Sequence, residues 1–333
     1  MKTYKFMDFC AGIGGGRLGL ELNGMECVAH AELDEKTAYV YSQVYNDHNN
    51  YGDITKIDKP NLPDLDILIA GFPCQTFSIA GKRAGFEDDR GLIINHLIEI
   101  LGCKDVPYFI LENVKGLVNH DKGRTLKIIL SQLYEAGYNT YYKTLNSIDY
   151  GVPQMRERVY IVGAKKGLNF NFKFPKSISH NGLEEYLIDE NARELPLDDV
   201  TFHKYLNNKY NQGKYDLSLI LEQDYLVVDT RQSDLRLYKD KCPTLRTGRH
   251  GILYVKNGKL KKISALEALL LQGFPMEVAL KATKIGVEEN KILSMAGNAM
   301  TVSVIEHIGR ELVNAINSAK AHDEIGEQLC LQI

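Results

Sequence analysis

The stretch Asp8–Leu20, DFCAGIGGGRLGL, decides how this chain is read. It follows the apolar run YKFMDF and opens onto the amphipathic pattern RLGLELNG, which predicts a strand, a glycine-rich turn and a helix in succession. In a doubly wound sheet that turn is where a nucleotide-like ligand binds. Gly12, Gly14, Gly15 and Gly16 would let the backbone pass close to such a ligand. The dinucleotide fingerprint G-x-G-x-x-G would need glycine where Arg17 stands, so a cofactor without pyrophosphate fits better. Glu32, about twenty residues downstream at the end of the next apolar run, suits ribose hydroxyls. Asp53, in YGDIT, suits an adenine amino group. Taken with the turn, these acids favour an adenosine cofactor over solvated loop ends.

Outward from this stretch, short apolar runs alternate with longer amphipathic ones. ECVAHAE, DILIAG, PYFILEN, YNTYYKTLN and ERVYIVG read as strands. EKTAYVYSQVY, LIINHLIEILG and TLKIILSQLYEAG read as helices, two of them closing on glycine. The alternation predicts an α/β domain, doubly wound around a mostly parallel, Rossmann-like sheet. After Lys173 the rhythm breaks into short polar runs with scattered Tyr and Lys, and it resumes at ISALEALLLQGF and VSVIEHIGRELVNAINSAK. The expected division is therefore a main domain over 1–176, a small irregular lobe over 177–254, and a hinge with a C-terminal helix over 255–333.

The 333 residues exceed one ordinary compact domain, and 44% apolar with 25% charged residues describe a globular chain. Net charge is −3, unevenly spread: Thr201–Lys262 holds thirteen Lys/Arg against six Asp/Glu, a local +7 against −10 elsewhere. A basic lobe on an acidic body suits a polyanionic partner, although a solvated lysine-rich surface would look the same. Six widely spaced cysteines without a C-x-x-C pair point to a reducing compartment, no zinc site and no disulfide framework. Asp8 interrupts the apolar N-terminus and no run nears the ~20 residues needed to span a bilayer, so a cytoplasmic protein is expected.

One cysteine stands apart. In GFPCQTFS, Gly71–Ser78, Cys74 sits between Pro73 and Gln75 directly after the strand DILIA. On its own it is either a reactive thiol on a tight turn or a small buried residue at a strand end.

Taken together, DFCAGIGGG, Glu32, GDIT, GFPCQTFS, ENV (Glu112–Val114), QMRERVY (Gln154–Tyr160) and AGNAMTV (Ala296–Val302) resemble, in order and spacing, the motifs of the DNA cytosine-5-methyltransferases. The resemblance covers nearly everything outside 177–242, and the chain is most similar to the compact bacterial type II modification methylases. It implies an S-adenosylmethionine-dependent methyltransferase sheet, a target-recognition lobe, and a C-terminal helix packing on the first. It implies donor contacts from Gly12, Ile13 and Gly15 in the turn, from Glu32 and Leu33, and from Asp53 and Ile54. Pro73, Ile93, Asn298 and Ala299 complete that set. Cys10 stands where many relatives place a phenylalanine against the adenine ring, so stacking there should be weaker. Leu266 and Leu270 replace the arginines of an R-E-x-x-R pattern in which Glu267 remains, and Ala299 replaces a serine.

The chemistry requires these residue types. Carbon 5 of cytosine is too weak a nucleophile until a thiolate adds to carbon 6, the role the resemblance gives to Cys74. A thiol with its ordinary pKa near 8.5 is only slightly ionised at neutral pH, so the adduct needs help. Glu112 would supply it by donating a proton to ring nitrogen 3, with its pKa raised by burial. Arg158, with Arg156, would hold the cytosine oxygen through planar, permanently charged guanidinium groups. The target base must leave the stack. The charged, Gly-containing run after Cys74, with Gln75, Ser78, Lys82 and Arg90, reads as a loop closing over it with phosphate contacts. In CPTLRTGRHGILYV, Thr244 and Leu245 match the family's Thr-Leu pair, and Arg246, Arg249 and His250 meet either guanine edges or phosphates.

The expectation is a monomeric, metal-free methylase of duplex DNA, paired in one system with a restriction endonuclease but not in a stable complex with it. A tRNA cytosine methyltransferase and a catalytically silent DNA-binding homologue are the rivals. The basic lobe opposes the first, and the presence of both Cys74 and Glu112 opposes the second. A nicotinamide oxidoreductase is opposed by Arg17.

Overall fold

In the computed structural model of the protein, residues 3–73, 92–248 and 250–330 are described, side chains of the last helix as far as Ala319. Two compact units divide the chain. One comprises residues 1–145, 157–177 and 300–333; the other comprises 146–156 and 178–299.

The first unit is a six-stranded sheet in the order β2-β1-β3-β4-β7-β5. Strands β1 (Lys5–Phe9), β2 (Glu26–Ala31), β3 (Ile67–Gly71) and β4 (Tyr108–Val114) run parallel. Strand β5 (Tyr138–Asn146) forms one edge, and after β6 (Gln154–Met155), which belongs to the other unit, β7 (Glu157–Lys165) runs antiparallel to β4. The runs ILIAG and YFILEN lie between strands and under helices on both faces, which is why they are almost wholly apolar. Helices α1 (Gly15–Glu21), α2 (Glu35–Tyr45), α3 (Leu92–Cys103), α4 (Gly116–Asn119) and α5 (Arg124–Glu135) accompany them. Helix α2 starts where Asp34 accepts a hydrogen bond from the Thr37 amide, and α5 buries Leu126, Ile129 and Leu133 at helical spacing.

The order places β2 on one side of β1 and β3 on the other. The chain therefore switches direction beside β1, and the carboxyl ends of β1 and β3 flank the crevice where open α/β sheets bind ligands.

The second unit has its own architecture where the sequence suggested irregularity. Strands β8 (Glu194–Leu195), β9 (Val227–Asp229), β10 (Arg236–Tyr238), β12 (Ile252–Lys256) and β13 (Lys259–Lys262) form a sheet in the order β10-β9-β12-β13-β8, every pair antiparallel. Helices α6 (Val200–Leu206) and α7 (Leu217–Leu221) contribute Phe202 and Ile220 to a core with Val228, Leu253, Val255 and Leu260. Short β11 (Cys242–Pro243) pairs with β6. Residues 255–299, grouped in the sequence with the C-terminal helix, belong to this unit: β13 lies inside its sheet between β12 and β8, and α8 (Ala265–Leu271), α9 (Met276–Thr283) and α10 (Glu289–Asn298) follow. Helix α8 begins with a capping box between Ser264 and Glu267. Glu267 is fully buried and accepts from the Tyr254 hydroxyl and the Asp189 amide, both neutral donors.

At Met300 the chain returns to the first unit as α11 (Val302–Cys330). This helix lies against α1 so closely that a Cβ on Gly19 would fall 2.6 Å from Ile305, and Asn23 donates to the Glu306 carbonyl. No helix among the described residues is long and apolar enough to cross a membrane.

Candidate active site

At the carboxyl edge of the sheet, Gly71 at the end of β3 is in register with Glu112 on β4, and a Cβ there would lie 3.6 Å from Glu112 Oε2. Phe72 and Pro73 follow, with Asn113 donating to the Phe72 carbonyl at 3.0 Å. That bond ties the end of β4 to the segment leading into Cys74. On the other side, β7 pairs antiparallel with β4, Val114 opposite Arg158 and Glu112 opposite Tyr160. Residues two apart on a strand share a face, so Arg158 is the diagonal neighbour of Glu112. Its Nε lies 3.0 Å from Glu112 Oε1, both side chains nearly buried. Forty-six residues separate this acid and this guanidinium in the chain; the antiparallel register brings them together.

Arg156 behaves differently. It precedes β7, lies in the second unit and is 2% exposed. Its Nη1 donates to the carbonyls of Leu245 and Gly297 and its Nη2 to that of Ala299. With both terminal nitrogens on backbone carbonyls, it ties Leu245, Gly297 and Ala299 to the residue that leads into β7.

The glycine turn lies at the end of β1. Gly12 donates its amide to Glu32 Oε2 at 2.8 Å, while Asp34 donates to Oε1. A carboxylate has about four lone-pair sites, so Glu32 keeps acceptor capacity for hydroxyls. Leu33, beside it, is 69% exposed. Asp53 Oδ1 accepts from the amide and hydroxyl of Thr55, and these bonds hold its pKa below the usual carboxylate value. Ile54 is buried, Ile93 is half-buried against the core and Pro73 is exposed.

The glycines owe their presence to different neighbours. Gly12, at φ +57°, faces open space, whereas a Cβ on Gly14 would meet the Tyr45 ring at 2.5 Å and one on Gly15 the Met300 carbonyl at 2.2 Å. A Cβ on Gly16 would meet the Met300 side chain. Only Gly12 has the open approach that the sequence suggested for all four; the other three allow close packing. Arg17, which broke the fingerprint, turns to α2, pairing with Glu21 and Asp47 and lying over the Tyr45 ring.

Thr244 and Leu245 are bonded to Met155 and Gln154 of β6, while Arg246 is exposed. His250 Nε2 lies 3.4 Å from Ser294 Oγ, and burial holds its pKa below the ordinary value. Asn298 and Ala299 close α10. Cys74, Gln75, Ser78, Lys82, Arg90 and Arg249 lie outside the described residues. Of the other cysteines, Cys10, Cys27 and Cys242 are pushed up to about 12 by burial, so their thiols stay protonated at neutral pH. Asn113, Gln154, Asp229 and Arg231 also shape the site without standing out in the sequence, although Asn113 and Gln154 lie inside ENV and QMRERVY.

A sequence model of C-5 cytosine-specific DNA methylases matches residues 4–314. The chain belongs to that family. It is accordingly an enzyme, a DNA cytosine-5-methyltransferase. It is 37% identical to the type II methyltransferase M.HaeII of Haemophilus aegyptius over 96% of each chain. It is 38% identical to M.NgoBI of Neisseria gonorrhoeae over 91% of each. The Entamoeba histolytica methyltransferase EhMeth shares the fold, with a TM-score of 0.69 at 16% identity over 94% of this chain and 99% of that one.

Proposed function

We propose that this methyltransferase modifies carbon 5 of a cytosine within a short duplex DNA site, through a transient bond between Cys74 and an extruded base. Its biological setting would be the protective half of a restriction-modification system, the role carried by the type II name of its relatives. The observation that carries the reading is the Glu112–Arg158 pair beside Gly71, two residues before Pro73 and three before Cys74.

The methyl donor of this reading is S-adenosylmethionine, which supplies an electrophilic sulfonium methyl group when bound. The first unit fits such a molecule: Glu32 has acceptor capacity for ribose hydroxyls, Asp53 is an ionised acceptor for an amino group, Leu33 offers exposed apolar surface, and Gly12 leaves the approach open. In the second unit, the family pattern assigns Asn298 and Ala299 to the same donor.

At the base, the Cys74 thiolate adds to carbon 6 while Glu112 gives a proton to nitrogen 3, so the electrons displaced from the ring are neutralised where they accumulate. Carbon 5 then becomes nucleophilic enough to accept a methyl group. Loss of the carbon-5 proton and expulsion of the thiol restore the aromatic ring. Burial of Glu112 in the pocket would favour the protonated form that this donation needs. Arg158 orients the acid through Nε and presents its remaining donors to the base oxygen.

The test is incubation with duplex DNA containing 5-fluorocytosine and donor, where the fluorine blocks the final elimination. The protein should form a denaturation-resistant complex, and Cys74→Ser should form none while losing methylation by at least about a thousandfold. Undiminished methylation by Cys74→Ser sinks the mechanism. Bisulfite sequencing of the product reports the methylated base and its sequence context.

A further inference from the structure

Arg156 reaches two segments to which the foregoing reading gives separate tasks. One holds Thr244, Leu245 and Arg246, assigned to DNA; the other holds Asn298 and Ala299, assigned to the methyl donor. Its guanidinium binds the Leu245 carbonyl at 3.2 Å, the Gly297 carbonyl at 3.0 Å and the Ala299 carbonyl at 2.9 Å. All of these groups lie in the second unit.

Other bonds run to the same places. Gln154 accepts from the Leu245 amide at 3.0 Å, Thr244 donates to the Met155 carbonyl, and Arg231 donates to the Thr244 carbonyl at 2.7 Å. Thr247 closes the connection by donating to the side chain of Asn298. The backbones touch as well, since a Cβ on Gly297 would fall 2.7 Å from the carbonyl carbon of Arg246. Three carbonyls converging on one planar fork demand a guanidinium. The single ammonium of lysine cannot reach all three, and a buried carbonyl deprived of its charged donor loses a strong bond.

We propose that Arg156 is a positioning residue shared by the DNA-reading segment and the donor-binding turn, so that one side chain sets the geometry of both. The proposal rests on the assignment of those two segments given above. It accounts for a second buried arginine two residues before Arg158, bonded to three backbone carbonyls. It requires that site selectivity and donor affinity fall together when the clamp is loosened.

The test uses the full chain with Arg156→Lys and Thr247→Val, and three measurements. These are the Kd of S-adenosylhomocysteine by calorimetry without DNA, the thermal midpoint, and the ratio of methylation at the preferred site to that at one-base variants. The ratio is read by bisulfite sequencing of a randomised duplex pool. Arg156→Lys should raise the Kd and lower the ratio, each about tenfold, the loss expected for a charged hydrogen bond. Thr247→Val, at an exposed position, should move both about threefold in the same directions with the midpoint unchanged, which keeps the test decisive if Arg156→Lys fails to fold. A merely structural role lowers the midpoint and the rate at all sites equally and leaves the Kd and ratio alone; that result, or Thr247→Val moving neither quantity, overturns the proposal. Arg246→Ala with unchanged duplex affinity and unchanged site pattern, or Asn298→Ala with unchanged Kd, would instead overturn the segment assignments beneath it.

Discussion

In the first unit the glycine turn is backed by a packed, titratable cluster: His30 stacked on Tyr41, Tyr45 beneath Gly14, and Arg17 between Tyr45 and Asp47. In the second unit Thr244–Thr247 is backed by arginines, Arg231 held by Asp229 and Arg156 held by carbonyls. Both supports back segments proposed above to meet a ligand, yet they rest on different physics. Ring packing tolerates little added volume and includes an imidazole, His30, that burial holds neutral down to about pH 4. Guanidinium groups stay charged at every accessible pH but leave costly orphans when a partner is removed.

The largest expected effect therefore lies in the second unit. Arg231 and Asp229 form a two-pronged pair at 2.7 and 2.8 Å, with side chains 7% and 5% exposed. Asp229→Ala leaves the guanidinium buried and unpartnered by charge and should cost about 3–5 kcal/mol in urea unfolding. A cost below about 1 kcal/mol would show that the pair relaxes into water and that the contrast with the first unit is unfounded.

The same contrast explains which parts of the molecule were legible in advance. Runs such as ILIAG and YFILEN are long, apolar and buried on both sides, so sequence alone locates them and the glycine turn between β1 and α1. The second sheet is built from strands of two to five residues, such as Glu194–Leu195 and Val227–Asp229, whose identity comes from non-local pairing and not from local pattern. In the site, Glu112 and Arg158 are visible as motif residues, but their meeting depends on a register no local run encodes. Arg156 and Arg158 look equivalent in RER; only the fold sends one to Glu112 and the other to the carbonyls of Leu245, Gly297 and Ala299. Arg231 sits in DTRQSD, where a charged turn conceals a clamp.

The next effect belongs to the first unit and depends on pH. Burial lowers the His30 pKa from 6.5 to about 4, against the opposing pull of Asp47. A base whose folded pKa is depressed contributes its full stability above the unfolded value, and that contribution is lost as pH falls through the interval to the folded value. Stability should thus fall by about 3 kcal/mol between pH 6.5 and 4 on account of this residue. His30→Phe keeps a ring against Tyr41 and cannot titrate, so the gap between variant and parent in denaturant melts should narrow or reverse toward low pH. A gap independent of pH would mean that His30 does not titrate on unfolding.

Steric precision behind the turn comes next. Gly15→Ala would put a methyl carbon 2.2 Å from the Met300 carbonyl, a backbone atom that cannot swing aside. The expected loss is about 1–3 kcal/mol, measured by thermal melting. Gly12→Ala meets no atom within 4 Å and is opposed only by its backbone angle of φ +57°, so the first substitution should be the more damaging. The reverse order would place the tight packing elsewhere.

The smallest effect isolates one hydroxyl. Tyr45 donates to the carbonyls of Ile13 and Gly14 at 3.2 and 3.0 Å, while its ring fills the space against Gly14 and lies under Arg17. Tyr45→Phe keeps the ring and the cation–π contact and removes only the donor, at a cost of about 1 kcal/mol. Because those carbonyls belong to the turn proposed to meet the methyl donor, the variant should weaken S-adenosylhomocysteine binding severalfold while its kcat at saturating donor stays near the parent's. A fall in kcat with unchanged donor affinity would mean that the hydroxyl steadies the chemistry instead of the turn. It would also bring the first unit's support closer to the second's, where a single polar group governs more than one function.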